Sequence, residues 1–169
     1  MMLVSVIFLI ISVLIQGVSS NFVGYTYNSL SLFLTIYPLI TLLILNPYFQ
    51  NKKKYFTLMI IFSLIIGITD TNIFIFNTAL YIACYYISKM FHFFLPYNCV
   101  TVSASNLICI FAYHTLSFVF LNVLKYDIYS FSYLLNILTH SVIMTIIYSV
   151  IVYFSVLFIS QKVGMKEVR

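Results

Sequence analysis

Six stretches of nearly uninterrupted apolar residues run along the chain, with short polar segments between them. Continuous apolar runs favour helices, because the strands of a membrane β-barrel alternate apolar and polar residues over about ten positions. A helix that crosses about 30 Å of hydrocarbon needs about 20 residues. The six candidate spans are Met2–Ser19, Ser31–Leu45, Tyr55–Thr69, Ile73–Phe91, Val100–Val123 and Tyr133–Ile159. The pattern therefore predicts an all-α, multi-pass transmembrane bundle that forms one integral membrane domain, residues 1–169.

The polar separators contain residues that favour turns. Asn46-Pro47 opens a loop of three lysines, and Lys125-Tyr126-Asp127 follows the fifth segment. Thr69-Asp70-Thr71-Asn72 divides the third segment from the fourth, and Leu95-Pro96-Tyr97-Asn98 divides the fourth from the fifth. Asn, Asp and Pro favour turns through local hydrogen bonds or a fixed φ angle. We also expect the first segment to be retained as a span, because no Lys or Arg precedes its apolar core.

The composition supports a membrane environment. Hydrophobic residues form 63% of the 169 positions and charged residues 7%, whereas an ordinary globular chain has about 25% charged residues. A soluble fold of this length could not cover so much apolar surface. Fifteen Tyr and no Trp predict that tyrosines, Tyr48 and Tyr97 among them, form the aromatic belts at the membrane interfaces.

The positive charges predict the orientation. With six spans, both termini and the loops after the second and fourth spans share one side of the membrane. That side holds seven of the eight basic residues, and Lys125 alone lies on the other. The seven are Lys52, Lys53, Lys54, Lys89, Lys162, Lys166 and Arg169. Basic residues concentrate in the cytoplasm, so we expect both termini to be cytoplasmic in the inner cell membrane. The charges lie beside membrane boundaries, and we expect no nucleic-acid binding.

Several candidate spans align their polar residues on one face, at 100° per residue. These stripes are Ser5, Ser12 and Gln16 in the first span, Asn77, Tyr81, Cys84 and Ser88 in the fourth, Ser103, Asn106, Tyr113 and Ser117 in the fifth, and Asn136, Thr139 and His140 near the start of the sixth. Polar residues in spans avoid lipid and hydrogen-bond to neighbouring helices. The stripes therefore predict bundle packing, with a ligand cavity between the helices as the alternative.

Asp70 is the only acidic residue near a span. An intramembrane carboxylate is a functional candidate because burying its charge is costly. Asp70 also lies where the chain must turn, and there Asp70 or Asn72 could cap the next helix by accepting its free N–H groups. Both interpretations stay open: a cap or turn residue, or a contact with a proton, a substrate or a partner.

The sequence offers little that would support catalysis. It has no G-x-S-x-G for a serine nucleophile and no H-E-x-x-H for zinc, and Asp127 lies in a loop rather than close enough to Asp70 to share a proton. His114 and His140 lack the spacing of metal ligands. Cys84, Cys99 and Cys109 contain no CxxC pair and are interpreted as packing residues. We therefore expect no enzyme activity and no cofactor or metal.

The layout resembles the MreD family of bacterial rod shape-determining membrane proteins over nearly the whole chain. Ile61-Phe62-Ser63-Leu64-Ile65-Ile66-Gly67-Ile68-Thr69-Asp70 is similar to the family's G-x-x-D at the end of the third segment. Asn77-Thr78-Ala79-Leu80-Tyr81 is similar to the apolar, small-residue continuation. His114 stands where family members often carry a Glu. The resemblance thus implies a candidate polar site, functional or structural, at Gly67, Asp70, Asn77 and His114.

The resemblance implies a non-catalytic component of the cell-elongation machinery. Such a protein associates with an MreC-like membrane protein. Through that partner it reaches MreB filaments and a RodA-type synthase with its penicillin-binding protein, which couples cell shape to peptidoglycan synthesis. The alternative is the substrate-binding membrane subunit of an energy-coupling-factor vitamin transporter, which is also a small six-helix protein. The bulky first span lacks Ala-x-x-x-Ala and favours the elongation role, in which a small-molecule ligand is not expected.

Overall fold

The structure, a computed structural model, describes residues 2–22, 35–70, 74–125 and 130–162, without the side chains of 19–22 and 69–70. Its elements are α1 (Met2–Phe22), α2 (Tyr37–Leu45), α3 (Lys52–Asp70), α4 (Phe74–Phe94), α5 (Cys99–Val123) and α6 (Phe131–Lys162), with one 3₁₀ turn at Asn46–Tyr48. The described residues contain no strand. The all-α prediction is confirmed, and α3 and α4 are separate helices, as the turn residues between them predicted.

The second segment differs from its prediction. A span over Ser31–Leu45 was expected, but the helix begins at Tyr37, and 31–34 lie outside the described residues. Pro38 occupies the first turn of α2, where a missing N–H costs nothing because no intrahelical acceptor exists there. Nine residues rise about 13.5 Å, which is less than half of the hydrocarbon thickness of about 30 Å. The α2 helix alone is therefore too short to span a membrane.

The short α2 helix forms the centre of the molecule. All nine of its side chains are buried, and α1, α3, α4, α5 and α6 all pack against it. The hydroxyls of Tyr55 and Tyr97 donate to the carbonyls of Leu42 and Ile44, at 3.0 Å and 2.8 Å. These carbonyls belong to the last turn of α2, which has no intrahelical partners of its own. Tyr55 of α3 and Tyr97 of the turn between α4 and α5 thus supply donors to the end of a buried helix.

The outer surface is apolar and much of the interior is polar. Large hydrophobic side chains are exposed on α1, α3, α4, α5 and α6, among them Leu3, Ile68, Ile75, Phe93, Val100, Val123, Ile143 and Phe158. The buried polar residues include Ser5, Ser12, Ser63, Asn77, Ser88, Asn106, Ser141, Thr145 and Ser149. Soluble monomers rarely expose large contiguous apolar patches. This distribution suits a lipid environment better than water.

Of the described helices, α5 and α6 are long and apolar enough to cross a membrane by length and composition. At about 1.5 Å per residue, their 25 and 32 residues reach roughly 37 Å and 48 Å, both beyond a hydrocarbon core of about 30 Å. Within α1, Met2–Val18 forms a shorter apolar helix.

Five of the six described lysines cluster at one end of the helices. Lys52, Lys53 and Lys54 begin α3, and Lys52 lies near enough to Lys89 in the fifth turn of α4 for their charges to interact. The first turns of α1 meet the ends of α2 and α6 around a small cavity lined by Ser5, Leu45 and Ser160. We call this the basic end, formed by Lys52, Lys53, Lys54, Lys89 and Lys162. Lys125 follows α5 at the opposite end, and Lys166 and Arg169 lie outside the described residues.

Candidate functional site

Asn77 connects three helices near the end of the molecule opposite the basic end. Its side chain, in the first turns of α4, is 3% exposed. Nδ2 donates to the carbonyl of Ser63 in α3 at 3.0 Å, and Oδ1 accepts from the hydroxyl of Tyr113 in α5 at 2.6 Å. Ser63 Oγ also donates to Thr78 Oγ1 at 3.2 Å. We call Ser63, Gly67, Asn77 and Tyr113 the Asn77 node.

Gly67 belongs to this node because α3 and α4 approach each other closely there. A Cβ on Gly67 would lie 2.8 Å from Cα of Phe74 and 3.3 Å from Nδ2 of Asn77. The first of these atoms is backbone and cannot rotate away. Small residues permit such backbone approach in membrane helix pairs. Gly67 and Asn77, both proposed from the sequence, are therefore neighbours, and the glycine makes room for the α3–α4 contact.

The other two candidate residues, Asp70 and His114, are not part of the Asn77 node. Asp70 is the last residue of α3, but its side chain lies outside the described part of the structure, as does Asn72. The two interpretations of Asp70 remain predictions. His114 is half-buried and follows Tyr113, with the two rings 5.7 Å apart at 87°. His114 thus lies beside the Asn77 node.

Further polar pairs connect α4, α5 and α6. Ser105 Oγ donates to Ser88 Oγ at 3.1 Å, and Asn106 Nδ2 donates to Ser149 Oγ at 3.0 Å. The thiols of Cys84 and Cys109 each donate to the other's backbone carbonyl, both at 3.3 Å. The polar stripes of α4 and α5 therefore face each other and α6. This mutual pairing supports the packing interpretation of the stripes.

The stripe expected in α6 is placed wrongly. Asn136, Thr139 and His140 are exposed, and Thr139 Oγ1 donates within its own helix to the carbonyl of Leu135 at 3.0 Å. The buried polar residues of α6 include Ser141, Thr145 and Ser149. They recur every four residues, which is the spacing of one helix face. This four-residue spacing is visible in the sequence and would have predicted that Ser149 is buried. The same spacing relates Ser63 to Gly67 in α3.

The chemistry of the node is that of a structural connection. An amide, a phenol and a peptide carbonyl meet at Asn77, and all three are neutral at ordinary pH. Among the described residues, no group of three or more His, Cys, Asp or Glu could hold a metal ion. The arrangement fixes the relative positions of α3, α4 and α5.

Comparison of the chain with known protein families, with curated proteins and with solved structures finds no match.

Proposed function

We propose that this chain is a six-span protein of the bacterial cytoplasmic membrane with both termini in the cytoplasm. The observation that carries this proposal is the basic end. Alternating helix directions bring the start of α1, the turn after α2, the start of α3 and the end of α6 to one end together with the lysines, while Lys125 lies at the other. This is the arrangement that the positive-inside rule favours for an even number of spans.

The second of the six proposed spans is the apolar run Ser31–Leu45, of which α2 forms the last nine residues. The segment from 23 to 36 separates α1 from α2 along the chain, and Ser31–Leu34 continue the apolar run of α2. Because α2 is surrounded by protein, the polar amide of Gln16 can lie next to it. Gln16 Oε1 accepts from the backbone N–H of Tyr37 at 3.3 Å, which satisfies a free donor of the first turn.

Reporter fusions test the topology. A reporter after Arg169 and one between Gln50 and Asn51 should both signal from the cytoplasm, and a reporter after Lys125 should signal from the outside. Opposite sides for the first two would overturn the six-span proposal.

Within this membrane setting, the chain acts as a non-catalytic component of the elongation machinery, the role implied by its resemblance to the MreD family. Two features support this proposal. The G-x-x-D resemblance falls on Gly67, where α3 and α4 need a glycine to approach each other. Inside the bundle, Tyr113 is paired with Asn77 and Asn106 with Ser149, and the exposed apolar helix faces are the surfaces for lateral contact with an MreC-like partner.

Depletion and co-purification test this role. Depletion in a rod-shaped host should produce round cells, and the tagged protein should co-purify with an MreC-like membrane protein. A tagged chain with Gly67→Leu is a second test, because it should disturb the α3–α4 contact and reduce co-purification. Normal cell shape on depletion, together with tight binding of a vitamin by the purified chain, would instead favour the transporter subunit.

A further inference from the structure

An apolar groove lies at the basic end, between the start of α1 and the start of α3. Its volume is about 380 Å³, near the lower limit of the roughly 300–1,000 Å³ typical of small-molecule sites. The apolar walls are Met2, Val6, Leu58, Ile61 and Phe62, and the polar wall consists of Lys53, Lys54 and Thr57. The groove thus has one cationic end and an apolar remainder.

The lining residues of α3 are ordered along the helix axis. Lys53 and Lys54 are in the first turn, Thr57 and Leu58 one turn later, and Ile61 and Phe62 one turn further. This spacing of three or four residues places them on one face, and they extend over roughly 13 Å at 1.5 Å per residue. Charge, hydroxyl and apolar surface therefore follow one another in a line, which matches an amphiphile with an anionic head and a hydrocarbon tail.

Within the described part of the chain, no acidic residue lies beside the lysines of this site. The chain has three acidic residues. The only one within the described residues is Asp70, at the far end of α3 and roughly 25 Å from Lys53 and Lys54 at 1.5 Å per residue. Lys52 donates to the carbonyl of Asn46 at 3.1 Å and also interacts with the like charge of Lys89. Glu167 belongs to a C-terminal segment that also carries three basic residues, Lys162, Lys166 and Arg169. An external anion can therefore pair with the lysines of the basic end.

The N-terminus of α3 also favours an anion. Three cations stand at the N-terminus of α3 and no acid lies in its first turn, although the positive end of a helix dipole favours anions. Asn51 Oδ1 already accepts from the backbone N–H groups of Lys53 and Lys54, at 3.0 Å and 3.3 Å. The ammonium groups of Lys53 and Lys54, both exposed, are therefore the groups available to an anion.

We propose that this groove binds one acyl chain of an anionic phospholipid, whose headgroup phosphate contacts Lys53 and Lys54. The proposal rests on the proposed membrane topology, which places the basic end in the cytoplasmic leaflet, where anionic lipids attract juxtamembrane lysines. It does not depend on the elongation role. A whole phospholipid exceeds the groove volume, so the second acyl chain stays in the bilayer.

Native mass spectrometry of the purified full chain tests the proposal. Phosphatidylglycerol and phosphatidylcholine with identical acyl chains are compared as probes. We expect a retained phosphatidylglycerol adduct, and Lys53→Gln with Lys54→Gln should weaken it about 30-fold, since each lysine near an anionic headgroup contributes roughly fivefold. The matched control is Lys125→Gln, which removes the same charge at the opposite end and should leave the adduct unchanged.

A second variant tests the apolar part. Val6→Trp fills the groove and should reduce the adduct, while the melting temperature in phosphatidylcholine shows that the variant remains folded. Equal retention of both lipids, an equal loss with Lys125→Gln, or a dimer that Val6→Trp dissociates would overturn the proposal. If Lys53→Gln with Lys54→Gln loses the adduct but cell shape is unaffected, the lipid site is supported. That result would also show that the site is not needed for elongation.

Discussion

The two sides of α3 differ in how closely a neighbouring helix approaches. Toward α4, Ser63 and Gly67 face Asn77 and Phe74, and the gap is too narrow for a single added methyl group. Toward α1, the side chains of Leu58, Ile61 and Phe62 line an open groove of about 380 Å³. The same helix is thus tightly packed on one side and open on the other.

The difference shows which residues favour close packing of two helices in an apolar solvent. Lipid tails are as apolar as Leu or Ile, so apolar side chains gain little by exchanging lipid contacts for protein contacts. Small residues that let backbones approach, and polar groups that find partners, favour helix contact over lipid contact. The α4 side of α3 has both, whereas the apolar wall on its α1 side has bulky residues.

Substitution of Gly67 should have the largest effect on this contrast. Gly67→Ala places a Cβ 2.8 Å from the backbone of Phe74, and forced overpacking costs about 1–3 kcal/mol. The free energy of unfolding should fall by that amount. Since the chain has no Trp, the loss of helical circular dichroism during SDS titration of mixed micelles is the suitable measurement.

The matched control is Gly17→Ala in α1. A Cβ at Gly17 would meet nothing within 4 Å, so this substitution should leave stability unchanged or raise it by up to about 1 kcal/mol through better helix propensity. Similar destabilisation by both substitutions would show that the close α3–α4 contact is not what requires glycine at position 67.

Sequence patterns predicted the positions of most helices well, but they did not predict that α2 is surrounded by protein. Continuous apolar runs and turn residues predicted five helices to within three residues at each described end, as for Val100–Val123 against Cys99–Val123. The run Ser31–Leu45 was predicted as a membrane span, and periodicity cannot distinguish a helix surrounded by lipid from one surrounded by protein. Only the arrangement of five other helices reveals that α2 is buried.

The sequence predicted which face of α4 points inward at the candidate site, but it did not predict which residue Asn77 contacts. The spacing of Asn77, Tyr81, Cys84 and Ser88 correctly indicated that one face of α4 points inward. That Asn77 meets Tyr113, 36 positions away, depends on how α5 is rotated and shifted against α4. Those two quantities follow from the packing of all the side chains at the helix crossing, so no local pattern in either helix contains them.

The Asn77–Tyr113 bond should contribute a smaller share of stability than Gly67. A double-mutant cycle with Asn77→Ala and Tyr113→Phe measures it in the same SDS titration. We expect a coupling energy of about 0.6 kcal/mol and at most about 1.7 kcal/mol, the range for hydrogen bonds between membrane helices. Asn136→Ala serves as the control because Asn136 is exposed on α6, and it should show no coupling to Tyr113→Phe. Zero coupling at Asn77 would mean that the node does not join α4 to α5.

Truncation on the open side of α3 should have the smallest effect. Ile61 is 49% exposed and borders the groove rather than a packed helix, so Ile61→Ala should change the free energy of unfolding by no more than about 0.5 kcal/mol. The matched substitution is Ile66→Ala on the same helix, where the side chain is 4% exposed and truncation leaves a cavity in packed surroundings. A loss at Ile61 as large as that at Ile66 would mean that α1 closes on α3 in the membrane, and the contrast between the two sides of α3 would then disappear.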